Sequence, residues 1–201
     1  MEITEINEFK KNKVKVSLDN GIAFVLYKGD LSKYGINVGE IGDNEIEELF
    51  DEVLKKRALN RSLGIISSRD MTESMIRNKL LEDGYPECVI DCVIERLKSE
   101  RLINDERFIR GFIECKSEKK SKNDIFRDLS SKGVDMDLVE QIYIELKEQE
   151  ALKDESELIK SILEKKHFDS ENASFEDCQK MIQYLLRKGF SFDSIRSAIK
   201  D

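Results

Sequence analysis

Three glycines, Gly84, Gly133 and Gly189, occupy matching places in an internal repeat, and this restricts the fold more tightly than any other feature of the chain. Four residues before each glycine stands a leucine, Leu80, Leu129 and Leu185, and four residues earlier stand Ile76, Ile125 and Met181. An apolar residue follows each glycine directly: Tyr85, Val134 and Phe190. Ile90, Val139 and Ile195 come six residues after the glycine, and Val93, Ile142 and Ala198 come nine after it. Apolar residues recurring every three to four positions mark one face of a helix. Each block therefore reads helix, glycine stop, helix. Glycine enters the left-handed conformation that ends a helix without a Cβ penalty. Pro86 suits the first turn of the following helix, and Asp135 and Ser191 suit the caps of its two counterparts. Ser174-Phe175-Glu176-Asp177 has the spacing of a capping box. A further helical segment precedes each block, over 46–66, 105–118 and 154–166. Each repeat is then three helices in roughly 45–55 residues.

Upstream of the repeats the periodicity is two. Val14, Val16 and Leu18 alternate with Lys15 and Ser17, then Asp19-Asn20-Gly21 leads into the β-branched and aromatic run Ile22–Tyr27. Asn-Gly suits the two positive-φ positions of a tight type I′ hairpin, and Ile3–Ile6 can add a third strand. Gly29, Gly35, Gly39 and Gly42 then punctuate a passage read as loop. The expected fold is mainly α: a tandem array of three three-helix repeats behind a small β-hairpin or three-stranded region. The expected boundaries are 1–44 for the β-rich region and 45–103, 104–150 and 151–201 for the repeats. Charged residues make up 38% of the chain, against about 25% in an average globular protein. A string of small units has the surface to carry them.

The chemistry-bearing patterns are mostly missing. The sequence contains no GxxxxGK[ST], GxGxxG, HExxH or CxxC, so neither a phosphate-cradling loop nor a common zinc motif is written into it. His167 is the sole histidine and follows two lysines at an expected interrepeat loop. Cys88 and Cys92 lie i, i+4 on one helix, one or two ligands short of a metal site, and read as partly buried free thiols on the flank of the core stripe. Neither a secretory signal nor an apolar run of about 18 residues is visible. The expectations are a cytoplasmic, monomeric, non-enzymatic binding protein that needs no catalytic residue, metal or cofactor and no membrane.

Charge is where function is legible. The net charge of -8 argues against a polycation that coats nucleic acid. Basic residues nevertheless recur at equivalent helix starts: Arg69, Arg77 and Lys79 in the first repeat, and Lys116, Lys119, Lys120, Lys122, Arg127 and Lys132 in the second. Arg101, Arg107 and Arg110 flank the junction between them. Such recurrence points to nucleic acid or to an acidic partner surface.

Three stretches also resemble the RecX family. SRDMTESMIRNKL (68–80) is similar to its first-repeat motif, LINDERFIRGFI (102–113) to its Asp-x-Arg-Phe segment, and IFRDLSSKGV (125–134) to its second-repeat basic helix. KYGI (33–36) fits the longer members. The resemblance spans nearly the whole chain. It implies a regulator of the RecA recombinase, lying in the groove of the RecA–DNA filament and restraining its ATPase, strand exchange and co-protease activity. Such a regulator acts in recombination, DNA repair and the SOS response. It further implies weak contact with single- or double-stranded DNA at most, no catalytic residue, and Arg69, Arg77, Lys79, Arg107 and Phe108 as contact positions, Phe108 being assigned to the core. The rival reading is a helical DNA-binding protein acting independently of RecA through its basic turns.

Overall fold

The structure is a computed structural model that describes residues 1–170 and 172–200. The chain divides into two compact units, Met1–Asn104 and Asp105–Asp201.

The first unit opens with a four-stranded antiparallel sheet of order β3-β2-β1-β4, built from β1 (Glu2–Lys10), β2 (Lys13–Leu18), β3 (Ala23–Tyr27) and the two-residue β4 (Gly39–Glu40). Val14, Val16 and Leu18 are buried, as their alternation requires. The β2–β3 turn differs from the expected two-residue hairpin. Gly21 N–H donates to the Leu18 carbonyl at 3.1 Å, and Leu18 N–H to the Ile22 carbonyl at 2.8 Å. In this turn only Gly21 has positive φ, at 83°. This is a three-residue loop, a turn closed by one left-handed residue. Asn20 acts through its side chain instead, its Oδ1 accepting from Ile22 N–H at 3.0 Å. The glycine-punctuated passage is likewise more ordered than a loop: it holds α1 (Lys28–Lys33) as well as β4.

A helix then runs from α2 (Asp43–Glu48) through a π-helical stretch, Leu49–Lys55, into α3 (Lys56–Ile66). With α4 (Glu73–Glu82) and α5 (Glu87–Ser99) it forms the first three-helix group. Sheet and helices share one core. Ile3, Val16, Phe24 and Leu26 pack in the same buried cluster as Leu54, Ala58, Ile76, Leu80, Ile90 and Leu97. On the outer edge of β3, Val25 N–H is taken up by the Gly84 carbonyl at 3.0 Å.

The second unit holds two further groups: α6 (Asp105–Ser117), α7 (Lys122–Ser130) and α8 (Met136–Glu148), then α9 (Glu155–Lys165), α10 (Phe175–Arg187) and α11 (Phe192–Lys200). Each group has its own core, one around Ile113, Leu129 and Ile142, the other around Ile159, Leu185 and Phe190. The repeat alignment carries into packing: Leu80, Leu129 and Leu185 are each 0% exposed. Thr72, Ser121 and Ser174 cap the middle helices through hydroxyls that accept from Met75, Asp124 and Asp177 N–H. At Ser174 the reciprocal half of a capping box is replaced, the Ser174 hydroxyl donating to the Asp177 carboxylate at 2.7 Å. Asp135 and Ser191 cap α8 and α11, accepting from Asp137 and Ser194 N–H.

Gly84, Gly133 and Gly189 all have positive φ, at 87°, 68° and 78°. At Gly84 and Gly189 the stop has the paired bonds of a Schellman motif. Gly84 and Tyr85 N–H donate to the Leu81 and Leu80 carbonyls, and Gly189 and Phe190 N–H to the Leu186 and Leu185 carbonyls. The Gly189 stop also joins the two groups of this unit. The Ser121 hydroxyl donates to the Lys188 carbonyl at 2.8 Å, and the Asn123 amide donates to the Gly189 carbonyl at 2.9 Å. Beside them, the Glu155 carboxylate accepts from Lys122 N–H at 2.7 Å and from the Ser194 hydroxyl at 3.1 Å.

Three other helix ends use non-glycine residues in the left-handed region: Arg101 (φ 56°), Glu150 (φ 55°) and His167 (φ 52°). Each is followed by a residue whose N–H closes onto the helix, Leu102 to Leu97, Ala151 to Leu146 and Phe168 to Leu163. A side chain there costs roughly 1–2 kcal/mol of backbone strain. Glu150→Gly removes that strain and adds unfolded-chain entropy. A net gain of about 0.5–1 kcal/mol is expected, read as a higher urea midpoint.

Candidate functional site

The basic residues picked out by the repeat fall into two classes once their partners are seen. In the first unit, Arg77 is held by Glu73 at 2.9 Å and by Asp91 at 2.6 Å, while Lys98 reaches the same Glu73 at 3.1 Å. Burial works to raise the Glu73 carboxyl, but the hydrogen bonds from Arg77 and Lys98 outweigh it and hold it below its ordinary value. Arg69 is exposed and Lys79 half-buried, and among the described residues neither pairs with a carboxylate.

In the second unit, Arg110 pairs with Glu145 at 2.9 Å, Lys120 with Asp128 at 2.5 Å, Lys122 with Glu140 at 2.7 Å and Arg127 with Asp124 at 3.0 Å. Lys122 also lies over the rings of Phe126 and Tyr143, 4.9 Å from each centroid. Lys119 is exposed and, among the described residues, pairs with no carboxylate. Lys116 and Lys132 approach the Phe112 ring at 5.9 and 5.4 Å. Phe112 stacks in turn on Phe108, centroids 6.0 Å apart. Phe108 is half-buried and packs against the second core, and Arg107 is exposed. Lys116 and Lys132 thus meet at one aromatic surface, whereas Lys120 and Lys122 are committed to internal ion pairs.

A third basic cluster lies outside the repeats, where their periodicity gives no sign of it. Lys10, Lys11, Lys13 and Lys15 crowd the β1–β2 turn with no acid among residues 10–15. Its one signal in the sequence is the run KKNK. β2–β3 register sets Lys13 opposite Tyr27, and Lys13 lies 5.3 Å from that ring. Arg57 approaches the same ring at 5.0 Å while making two bonds to Asp30, at 2.6 and 3.0 Å. Arg61 pairs with Asp83 at 2.8 Å. Lys10 reaches the Glu82 carbonyl at 3.4 Å, laying the turn beside the end of α4. Of the turn lysines only Lys13 borders the adjoining cleft of about 430 Å³, which Tyr27, Arg57, Arg61, Asp83 and Tyr85 also line. Burial raises the Tyr85 phenol above its ordinary pKa.

Cys88 and Cys92 are exposed, not partly buried. Their register places them beyond the edge of the apolar stripe, so the core closes over Val89 and Val93 without them. Among the described residues, no group of three or more His, Cys, Asp or Glu gathers to hold a metal ion. No helix among them is long and apolar enough to cross a membrane.

Comparison with known proteins agrees with this architecture. Residues 58–97 match the model of the RecX first three-helix domain, and residues 153–199 that of its third. The regulatory protein RecX of Bacillus velezensis is 32% identical, over 98% of this chain and 76% of its own. That of Caldanaerobacter subterraneus is 27% identical, over 96% of this chain and 95% of its own. A crystal structure of a regulatory protein RecX superposes with a TM-score of 0.65 at 22% identity, covering 100% of this chain and 99% of that one. RecX from Lactobacillus salivarius gives 0.62 at 25% identity, over 73% and 94% of the two chains. The capped three-helix groups, the small antiparallel sheet ahead of them and the near full-length likeness together place this chain in the RecX family of regulatory proteins.

Proposed function

We propose that this protein regulates a RecA recombinase, binding as a monomer in the groove of the RecA–DNA filament and restraining its ATPase, strand exchange and co-protease activity. Its place of action is then the cytoplasm, where recombination, DNA repair and the SOS response proceed. The observation that carries the reading is the family likeness over 98% of the chain to a regulatory protein RecX. The chemistry of the surface supports it. Arg69, Lys79, Lys116 and Lys119 pair with no carboxylate among the described residues and are available to an acidic partner. Three helical groups in tandem offer several surfaces to neighbouring subunits, which suits an occlusion that blocks their movement.

The test is RecA's DNA-dependent ATPase, with and without this protein. Suppression is expected, and the Lys116→Glu, Lys119→Glu double variant should need about tenfold more protein for half-suppression, on the order of 1.4 kcal/mol of binding. Lys120 and Lys122 are poor choices for reversal, because a glutamate there would face Asp128 or Glu140 across a former ion pair. Tight DNA binding with no effect on RecA would instead favour the rival, a DNA-binding protein independent of the recombinase.

A further inference from the structure

The β1–β2 turn, the end of β3 and helix α3 build a surface that the regulatory reading does not use. From the juxtaposition of the turn lysines with the half-exposed Tyr27 ring, over a cleft of one nucleotide's size, we infer that the N-terminal sheet carries a binding site for single-stranded nucleic acid.

Lys11 is exposed and Lys13 half-buried, and among the described residues neither pairs with a carboxylate. Lys10 is spent on a backbone carbonyl, that of Glu82. The turn therefore presents positive charge that the fold leaves unneutralised, on a chain whose net charge is -8. Arg57 and Arg61, although paired with Asp30 and Asp83, line the same cleft as Lys13 and keep further N–H donors. Tyr27 is 47% exposed, far more than an aromatic ring needs for packing alone. The cleft also borders Tyr85, so ring surface and cations interleave.

Interleaved rings and cations are what an unpaired strand requires. Phosphates seek the cations, and an unstacked base regains stacking on an aromatic ring. An acidic peptide would use the charges and leave Tyr27 idle. A duplex keeps its bases stacked inside and cannot offer one to a cleft of about 430 Å³. The inference stands whether or not the recombinase is the partner.

The experiment uses the full chain and no recombinase. A fluorescein-labelled oligo-dT is titrated with the protein across a series of salt concentrations and followed by anisotropy. Lys11→Glu with Lys13→Glu should weaken binding tenfold or more. It should also flatten the log–log salt dependence by about 1.4, since each lost single-strand contact removes about 0.7. Tyr27→Ala should weaken binding about tenfold and leave the slope unchanged, because it removes stacking and no charge. Lys165→Glu, at an exposed position of α9, should leave both unchanged. Thermal melts confirm that each variant is folded. The inference is overturned if the double lysine variant keeps the wild-type affinity and slope. It is equally overturned if polyglutamate displaces the labelled strand as well as unlabelled oligo-dT does, which would assign the surface to acidic peptides, or if inorganic phosphate alone displaces it at millimolar concentration.

Discussion

Gly84→Ala is expected to lower stability by about 3 kcal/mol. Left-handed backbone at an L-residue costs roughly 1–2 kcal/mol, and Gly84 has φ of 87°. A Cβ there would also stand 2.2 Å from Val25 Cγ2 and 2.9 Å from Val25 Cβ. Val25 cannot retreat, because it is 9% exposed and its N–H is bonded to Gly84 itself. Overpacking of this kind adds about 1–3 kcal/mol. Gly189→Ala should follow closely. Its Cβ would lie 2.7 Å from Ser121 Oγ and 3.0 Å from Asp124 Oδ1, groups that belong to the joint between the second and third helix groups. Gly133→Ala carries the backbone strain of φ 68° and should cost about 1 kcal/mol. Urea midpoints of the three variants measure the order. A loss at Gly84 of no more than about 1–2 kcal/mol would show that backbone strain alone, without the close approach to Val25, sets the effect.

Asp30→Ala is expected to cost about 2 kcal/mol and to remove part of the acid sensitivity of the first unit. Asp30 is 6% exposed. It accepts two bonds from Arg57 and one from Tyr27 N–H at 2.9 Å, which closes the start of α1 against the end of β3. The hydrogen bond from Arg57 is the main reason that the Asp30 carboxyl titrates below its ordinary value. Truncating it strands a half-buried guanidinium. Losing one partner of a buried pair costs about 3–5 kcal/mol, and the figure is lower here because the Arg57 side chain is 35% exposed to solvent. A carboxylate whose pKa is depressed on folding contributes its full stabilisation above the unfolded-state value, near pH 4. That contribution fades as pH falls through the folded-state value. The wild type should therefore lose stability below about pH 4 more steeply than Asp30→Ala. Parallel acid unfolding curves for the two proteins would refute this assignment.

The helical part of this protein is legible in its sequence alone, because the signals are local. A glycine after an amphipathic run, an apolar residue directly behind it, and a serine, threonine or aspartate ahead of the next run are each decided within one or two helical turns. The buried positions of the three groups accordingly follow the sequence repeat, down to Leu80, Leu129 and Leu185. Strand alternation in β2 is equally local and equally legible.

What the tertiary structure alone decided are the pairings between distant residues. Nothing near Val25 announces that its N–H will meet Gly84, or that sheet and first helix group will share one core. Nothing near Asp30 in the chain names Arg57. The same holds for charge. Lys120 and Lys122 look as available as Lys119 in the sequence, yet they are neutralised by Asp128, eight residues on, and by Glu140, eighteen residues on. The basic turn at Lys10–Lys15 is visible as a run of lysines, but it becomes a candidate site only where strand register and helix packing bring Tyr27, Arg57 and Tyr85 around it. Local backbone preferences are short-ranged and print themselves on the sequence. Charge availability and concave surface arise from long-range packing, which folding alone assembles.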